Sequence, residues 1–287
     1  MRSGFVAVVG RPNVGKSTLV NRIVGTKVSI VSSRPNTTRH SVRGILHRPG
    51  AQVVLVDTPG FHRPRTLLGE RLVEAAGAAL DDVDVALAVL DATAPVGPGD
   101  RLVLARAIAA GGSLFAVLNK VDRTRPTGVL AQLASVASAI DELGGDAAEY
   151  FPVSARTGEG MDGLVDAIVE LLPEGPPYYP PEILSDAPEA LRVAELVREQ
   201  LLRRAREELP HSITCRVTEW EWPRVRCEIV VERSSQKGIV IGRGGEVLKE
   251  VGVAVRRQLP AGAYLELHVR VVKHWQQRPD ALDRLGH

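Results

Sequence analysis

Gly10-Arg11-Pro12-Asn13-Val14-Gly15-Lys16-Ser17 decides the reading of this chain. The stretch follows the apolar run Phe5-Val6-Ala7-Val8-Val9 and opens a helical pattern over residues 16–24. A glycine-rich turn between a strand and a helix is the context that a phosphate-binding loop requires. Gly10 and Gly15 let the backbone turn sharply, so that amide groups around Asn13 and Val14 aim at phosphate oxygens, and the following helix adds its positive N-terminal end. Lys16 is placed to reach terminal phosphates, the Ser17 hydroxyl to ligate Mg2+, and Thr18 to touch the inner phosphate.

Three more segments follow in a fixed order. Asp57-Thr58-Pro59-Gly60 ends the apolar run 53–57, where a carboxylate can hold magnesium beside phosphates and the Gly60 amide can sense a terminal phosphate. Asn119-Lys120-Val121-Asp122 ends another apolar run. Asp122 offers two acceptors to the N1–H and exocyclic amine of guanine. Adenine lacks that donor pair, so the acceptors would stay unpaired at a cost. Asn119 is expected to tie this loop to its neighbours, and the Lys120 stem to cover the base. Ser154-Ala155 follows the run 150–153, where a backbone amide can donate to the guanine carbonyl. The Thr37-Thr38 pair lies in the polar stretch 32–40. One of its hydroxyls, assigned to Thr38, completes the magnesium shell when a triphosphate is bound. The set implies GTP and GDP as ligands with Mg2+, and hydrolysis by the same residues. Lys16, Asn13, Thr38 and Gly60 form the expected catalytic group, and Ser17, Thr38 and Asp57 the metal ligands. A kinase using ATP on the same loop is argued against by Asp122.

Residues 1–172 resemble a translation-factor-class small GTPase domain, of the Era-like branch. The resemblance rests on Asn13 in the loop, the threonine pair before Arg39, and Asp57-Thr58-Pro59-Gly60. Phe61 stands where Ras-like proteins carry a water-orienting glutamine, so this side chain is not expected to act in catalysis. The same resemblance implies that Asn13 helps hold a potassium ion in place of an arginine finger; the alternative is a plain turn residue.

Length and composition set the frame. At 287 residues the chain is about right for two domains, and 44% hydrophobic with 24% charged residues is ordinary for a globular protein. Residues 1–182 hold 18 Lys and Arg against 19 Asp and Glu; residues 183–287 hold 18 against 15, so the mild basic excess lies in the second half. Cys215 and Cys227 are expected to be reduced and buried, because no Cys or His cluster has zinc spacing. Met1-Arg2-Ser3-Gly4 runs straight into a core strand, leaving no room for a signal peptide, and no apolar stretch approaches the roughly 18 residues of a membrane span. The expectation is a cytoplasmic monomer that touches the inner face of the cell membrane at most peripherally.

Apolar runs at 5–9, 53–57, 84–90, 114–118 and 150–153 alternate with helical patterns at 16–24, 68–80, 99–110, 128–143 and 161–172. This predicts an α/β P-loop domain with a mostly parallel six-stranded sheet and helices on both faces; the segment 41–47 joins as an antiparallel hairpin partner at the edge. Residues 1–173 form this domain. The proline-rich 174–184 reads as a stiff spacer. Residues 185–272 change order to α-β-β-α-α-β, starting with a helix over 187–208 capped by Ser185 or Asp186, and 273–287 read as a polar tail with no core.

Val240-Ile241-Gly242-Arg243-Gly244-Gly245 falls between two helices of this second module. A GxxG turn there lets a nucleic-acid backbone approach closely, with Arg243 and Lys249 supplying charge. The match is to a type II KH domain, a small α+β fold. A helix–helix turn without a ligand is the other reading. Trp220 and Trp222 are expected to pack at the sheet end. Lys273, Trp275 and Arg278 are candidates to contact RNA, against a C-terminal strap over the domain.

A GTPase domain followed by one such KH domain resembles the Era family over nearly the whole chain, including Leu209-Pro210-His211-Ser212 and Leu282-Asp283-Arg284-Leu285-Gly286. The resemblance implies binding of small-subunit ribosomal RNA near its 3′ end and a part in small ribosomal subunit assembly. The alternative is an RNA-binding module that holds GTP as a structural ligand with negligible turnover.

Overall fold

The computed structural model describes residues 1–204 and 212–287 and divides into two units. The first comprises residues 1–31, 38–64 and 69–186, the second residues 32–37, 65–68 and 187–287.

The first unit is built on six strands: β1 Arg2–Gly10, β2 Val42–Arg48, β3 Ala51–Asp57, β4 Val85–Asp91, β5 Ser113–Asn119 and β6 Glu149–Val153. Their order is β2-β3-β1-β4-β5-β6, all parallel except the edge strand β2, which pairs antiparallel with β3. The helices are α1 Lys16–Val24, α2 Leu67–Ala78, α3 Pro98–Ala109, α4 Pro126–Glu142 and α5 Met161–Leu171. Side chains alternate across each strand, so successive residues of β1 serve different cores. Val6 and Val8 pack with Leu19 and Val20 of α1 and Leu164 and Ile168 of α5. Ala7 and Val9 pack with Leu104 of α3 and Ile140 of α4 on the opposite face. A strand covered on both faces reads as an unbroken apolar run, as Val85-Ala86-Leu87-Ala88-Val89-Leu90 does. Each such Val or Leu contributes about 1.5–3 kcal/mol by leaving water.

The order places β1 between β3 and β4, so chain connections leave its C-terminal end in opposite directions. In open α/β sheets that crevice is where ligands bind. Gly10, Asp57, Asp91 and Asn119 all end strands on this side.

The proline-rich segment is not a spacer. It is strapped onto the first unit, because its backbone finds partners there. Ser3 N–H donates to the Pro173 carbonyl (2.9 Å) and Ile45 N–H to that of Leu184 (2.9 Å). The buried Gln52 amide accepts from the Tyr178 and Tyr179 N–H groups (2.7 and 3.0 Å) and donates to the Tyr179 carbonyl (2.7 Å).

The second unit carries α6 Glu189–Arg204, β7 Thr214–Glu221, β8 Arg224–Val231, α7 Ser234–Ile241, α8 Glu246–Arg256, β9 Tyr264–Val271 and α9 Pro279–Leu285. Its sheet order is β7-β8-β9, with β7 antiparallel and β9 parallel to β8. The first of these helices starts at Glu189, later than a Ser185 or Asp186 cap predicts: Asp186 is held instead by Arg43 Nη1 and the Tyr179 hydroxyl, both at 3.0 Å. The expected continuation to 208 and the motif residues 209–211 lie outside the described residues.

Residues 273–287 have a core after all. Trp275 is fully buried, donates from Nε1 to the Ser212 carbonyl (3.1 Å) and stacks on His287 (5.7 Å between centroids). Ala281, Leu282 and Leu285 of α9 are buried with it. The periodicity of so short a segment gives no signal, but one Trp and three small or aliphatic residues suffice to anchor it.

Candidate nucleotide site and nucleic-acid loop

The phosphate loop has the backbone its residues demand. Gly15 sits at φ 104°, where a Cβ would lie 2.3 Å from Asn119 Nδ2, so no other residue fits. A Cβ on Gly60 would come within 2.7 Å of the Pro12 nitrogen. Asn13 takes a left-handed conformation at φ 66°, which asparagine tolerates better than most residues. Lys16 is buried, and Nζ donates to the carbonyls of Gly10 (3.1 Å) and Arg11 (3.0 Å). Burial lowers its pKa from 10.5 to about 8, although the nearby Asp57 opposes the shift.

Ser17, Thr38 and Asp57 converge. Ser17 Oγ and Thr38 Oγ1 lie 2.9 Å apart. Asp57 is fully buried, and neither carboxylate oxygen has a hydrogen-bond partner among the described residues. Burial pushes its carboxyl up from the ordinary carboxylate value, and the Ser17 hydroxyl and Lys16 ammonium hold it back. Hard oxygen donors around a carboxylate with no hydrogen bond of its own fit magnesium. The two threonines differ: the Thr37 hydroxyl donates to the Arg34 carbonyl and meets Ser32 Oγ, each at 2.6 Å, while that of Thr38 faces Ser17.

Two of the expected ligand residues also have partners within the protein. The Thr58 hydroxyl donates to the Val8 carbonyl (2.8 Å) and locks the end of β3 to β1. Lys120 Nζ is bonded to the Asn13 carbonyl (2.7 Å) and to Asp91 Oδ2 (2.5 Å), which anchors the end of the stem expected to cover the base. Asp91 was missed in the sequence. Burial raises its pKa, but Lys120 and Thr93 outweigh that and hold it below the ordinary value. A polar residue ending an apolar run, as at Asp57 and Asn119, was the signal available. Phe61 is buried in the apolar layer with Leu104 and Leu118, away from any catalytic role.

Asn119 fastens the base-side loops as expected. Its Nδ2 donates to the Val14 carbonyl (2.8 Å), and its Oδ1 accepts from the Ala155 N–H (3.0 Å). That Ala155 amide is therefore already engaged within the protein. Ser154 Oγ donates to Asp122 Oδ1 (2.6 Å), and Arg156 donates to Oδ2 from Nε (3.0 Å) and Nη2 (2.6 Å). Ser154 and Arg156 lower the Asp122 pKa, which favours the ionised carboxylate. Arg156 and Arg22 also escaped the sequence reading; Arg22 Nε donates to the Ala155 carbonyl (3.1 Å) and fixes the loop backbone.

A family model described as 50S ribosome-binding GTPase matches residues 5–120, and a KH domain model matches residues 208–276. GTPase Era of Mycobacterium avium (strain 104) is 49% identical over 99% of this chain and 98% of its own length; that of Mycobacterium leprae (strain TN) is 48% identical over the same shares. The chain belongs to the Era family of GTPases. Two solved structures superpose along its whole length at TM-score 0.93 and 37% identity, covering 99% of the other chain in each case. One is an Aquifex aeolicus Era variant bound to GDP·AlF4−, the other an Era in complex with MgGDPNP and nucleotides 1506–1542 of 16S ribosomal RNA. The fold is thus the α/β P-loop GTPase domain plus the KH domain expected from the sequence, and the activity is that of a GTP hydrolase.

In the second unit, α7 ends at Gly242 (φ 76°), Gly244 and Gly245 follow at φ 60° and 82°, and α8 starts at Glu246. A Cβ on Gly242 would strike Val247 (2.6 Å to Cγ2), whereas Gly244 and Gly245 face open space. Arg243, Gly244 and Lys249 are exposed, so the turn presents backbone and positive charge. Lys273 and Arg278 are exposed as well, Arg278 pairing with Asp280 (2.6 Å). Trp275 cannot stack on a base, because it is the anchor of the tail. Trp220 and Trp222 lie at the end of β7 and pack there against each other (6.4 Å between centroids), 40% and 48% exposed. Cys215 and Cys227 are free and buried.

No helix among the described residues is long and apolar enough to cross a membrane.

Proposed function

We propose that this GTPase is a switch in which the nucleotide bound to the first module governs the grip of the KH module on single-stranded small-subunit ribosomal RNA near its 3′ end, in the service of small ribosomal subunit assembly. The convergence of Ser17, Thr38 and the hydrogen-bond-free carboxylate of Asp57 carries the reading. Thr38 belongs to the polar stretch after α1, so a triphosphate with its magnesium orders that stretch and hydrolysis releases it. Gly10, Asn13, Val14, Gly15, Lys16 and Thr18 cradle the phosphates, with Pro59 and Gly60 at their terminal end. Asn119, Asp122, Ser154 and Ala155 set the guanine pocket, and magnesium supplies charge neutralisation between the phosphate oxygens.

The attacking water is placed by the Gly60 backbone and Thr38, with Asn13 holding a potassium ion, since Phe61 is buried. RNA binding rests on Gly242, Arg243, Gly244, Gly245 and Lys249, with Lys273 and Arg278 of the C-terminal tail as further contacts. The protein works in the cytoplasm as a monomer, with at most a peripheral contact to the inner face of the membrane.

Single-turnover hydrolysis, in potassium and in sodium, with and without small ribosomal subunits, tests the switch. We expect potassium and subunits each to raise the rate. A rate that is negligible under every condition favours the alternative of GTP as a structural ligand, and indifference to the cation removes the Asn13 role. Crosslinking to cellular RNA in both nucleotide states then reads the coupling.

A further inference from the structure

Asp122 is the residue that selects guanine in the reading above, and the inference here rests on that reading. Its carboxylate is not open. Ser154 Oγ takes Oδ1 at 2.6 Å, and the Arg156 guanidinium takes Oδ2 with two N–H groups, from Nε at 3.0 Å and Nη2 at 2.6 Å. The side chain of Asp122 is 8% exposed and that of Arg156 is 73% exposed, so the arginine lies on the outer side of the acid.

The chemistry of the two possible partners is the same. The N1–C2–N2 edge of guanine is itself a guanidine fragment, two N–H donors held in one plane, and Arg156 offers the protonated form of that fragment. A carboxylate takes such forks bidentately. Ser154 can keep its bond while guanine docks, since each carboxylate oxygen accepts more than one donor. Arg156 cannot, because its Nε and Nη2 together fill both acceptor positions of Oδ2, which guanine needs.

Only the side chain has to move. The loop backbone is pinned on several sides: Ser154 N–H donates to the Glu159 carbonyl (2.9 Å), Gly158 N–H to that of Ser154 (2.8 Å), and Thr157 N–H to Ser154 Oγ (3.1 Å). The Arg22 side chain holds the carbonyls of Ala155 and Arg156 from below. With its backbone fixed and its side chain in solvent, Arg156 acts as a hinged cover over the acid.

We propose that Arg156 is an internal competitor for the guanine subsite: it occupies Asp122 as a mimic of the base edge, and guanine nucleotides enter by displacing it. It therefore tunes the rate of nucleotide capture and lowers the apparent affinity for every nucleotide that has to displace it. An adenine edge, which offers Asp122 no donor pair, would break the Arg156 contact and give nothing back. A guanine edge replaces it in kind.

The test is stopped-flow capture and release of a fluorescent GDP analogue by the full chain stripped of nucleotide, comparing wild type with Arg156→Ala and Arg156→Gln. An exposed ion pair of this kind shifts an equilibrium by about two- to five-fold. The expected result is an association rate raised by that factor in both variants, an unchanged dissociation rate, and a wild-type-to-variant difference that narrows as salt screens the pair. Discrimination between GDP and ADP should stay unchanged, because both nucleotides displace the same pair. Unchanged association overturns the proposal. So does a dissociation rate that rises instead, which would make Arg156 a clamp on the bound base. Melting curves of both variants guard against misfolding, and the exposed side chain predicts no change in them. Asp122→Asn, measured in parallel against xanthosine diphosphate, separates this idea from its foundation. If that variant keeps full GDP affinity and gains none for the xanthine nucleotide, the base-site reading itself fails, whatever Arg156 does.

Discussion

The nucleotide site and the GxxG turn both present backbone to phosphate, but they are built in opposite ways. Around the first, polar atoms are buried and committed: Asn119 spans two loops, Thr58 is spent on β1, Lys120 on Asp91, and Lys16 on two carbonyls. Around the second, Gly244 and Gly245 face open space and Arg243 and Lys249 stand in solvent. The first site reads one ligand by preorganised donors and acceptors in low dielectric, where a mismatch is costly. The second offers access and charge, which grips a flexible strand and leaves sequence choice to other contacts. Damage to the first should therefore appear as lost specificity, and damage to the second as lost affinity.

The largest effect expected anywhere is structural, at the tail of the RNA-binding unit. Trp275→Ala empties a fully buried site and should cost about 3–5 kcal/mol of that unit's stability, read by denaturant unfolding. RNA affinity of the folded fraction should not move; if it falls while stability holds, Trp275 is an RNA contact. Next comes Asp122→Asn. Placing an amide against the guanine amine should weaken GTP by about a hundredfold, and xanthosine triphosphate should bind in its place. Equilibrium titration with both nucleotides checks it, and unchanged GTP affinity would dissolve the contrast drawn above.

The glycines of the turn should separate from one another. Gly242→Ala should destabilise the KH unit, because its Cβ meets Val247 at positive φ. Gly245→Asp should fold, at roughly 1–2 kcal/mol for the left-handed backbone, and lose about tenfold in RNA affinity, the scale of one phosphate contact. Thermal melts and filter binding distinguish the two; equal melting losses would mean that both glycines are structural.

A smaller effect follows from Lys16. Its pKa of about 8 lies below its ordinary 10.5, so the ammonium that phosphates require is fully present only below pH 8. GTP affinity should fall as pH rises through 8, by at most about tenfold per unit. The protein without nucleotide should gain stability over the same range, since the unfolded chain then binds the extra proton. Calorimetric titration from pH 7 to 9.5 reads the first, and a flat affinity would show that the lysine is not the phosphate partner. Least of all, Lys249→Ala should weaken RNA only severalfold and lower the salt slope by about 1.

Most of the fold was legible because its signals are local. Alternating apolar runs and helical patterns set the strands of the first unit to within about three residues, and the two-strand, helix–turn–helix, strand order gave the second. The nucleotide boxes were legible because each ends a strand, where the side chain must point to the ligand edge of the sheet. What was missed has a common cause. Gln52, Asp91, Arg22 and Arg156 act through partners between about 30 and 135 residues away, such as Tyr178 for Gln52 and Ala155 for Arg22. No pattern of spacing announces such pairs. The proline-rich segment misled for the same reason: its composition describes a stiff chain, and only Gln52 and the edge of β2 decide that it lies down.

By itself, then, the sequence singled out the chemistry to expect: a loop suited to phosphate, an acid suited to guanine, a turn suited to RNA. Those choices follow from residue types at short range, where backbone geometry and hydrogen-bonding capacity leave few options. Tertiary structure decided the commitments. It set the Thr38 hydroxyl rather than that of Thr37 against Ser17, buried Trp275, exposed Trp220 and Trp222, and set Arg156 against Asp122. Each of those depends on which polar atoms and apolar surfaces from distant segments meet and are shielded from water, and that is fixed only when the whole core has packed.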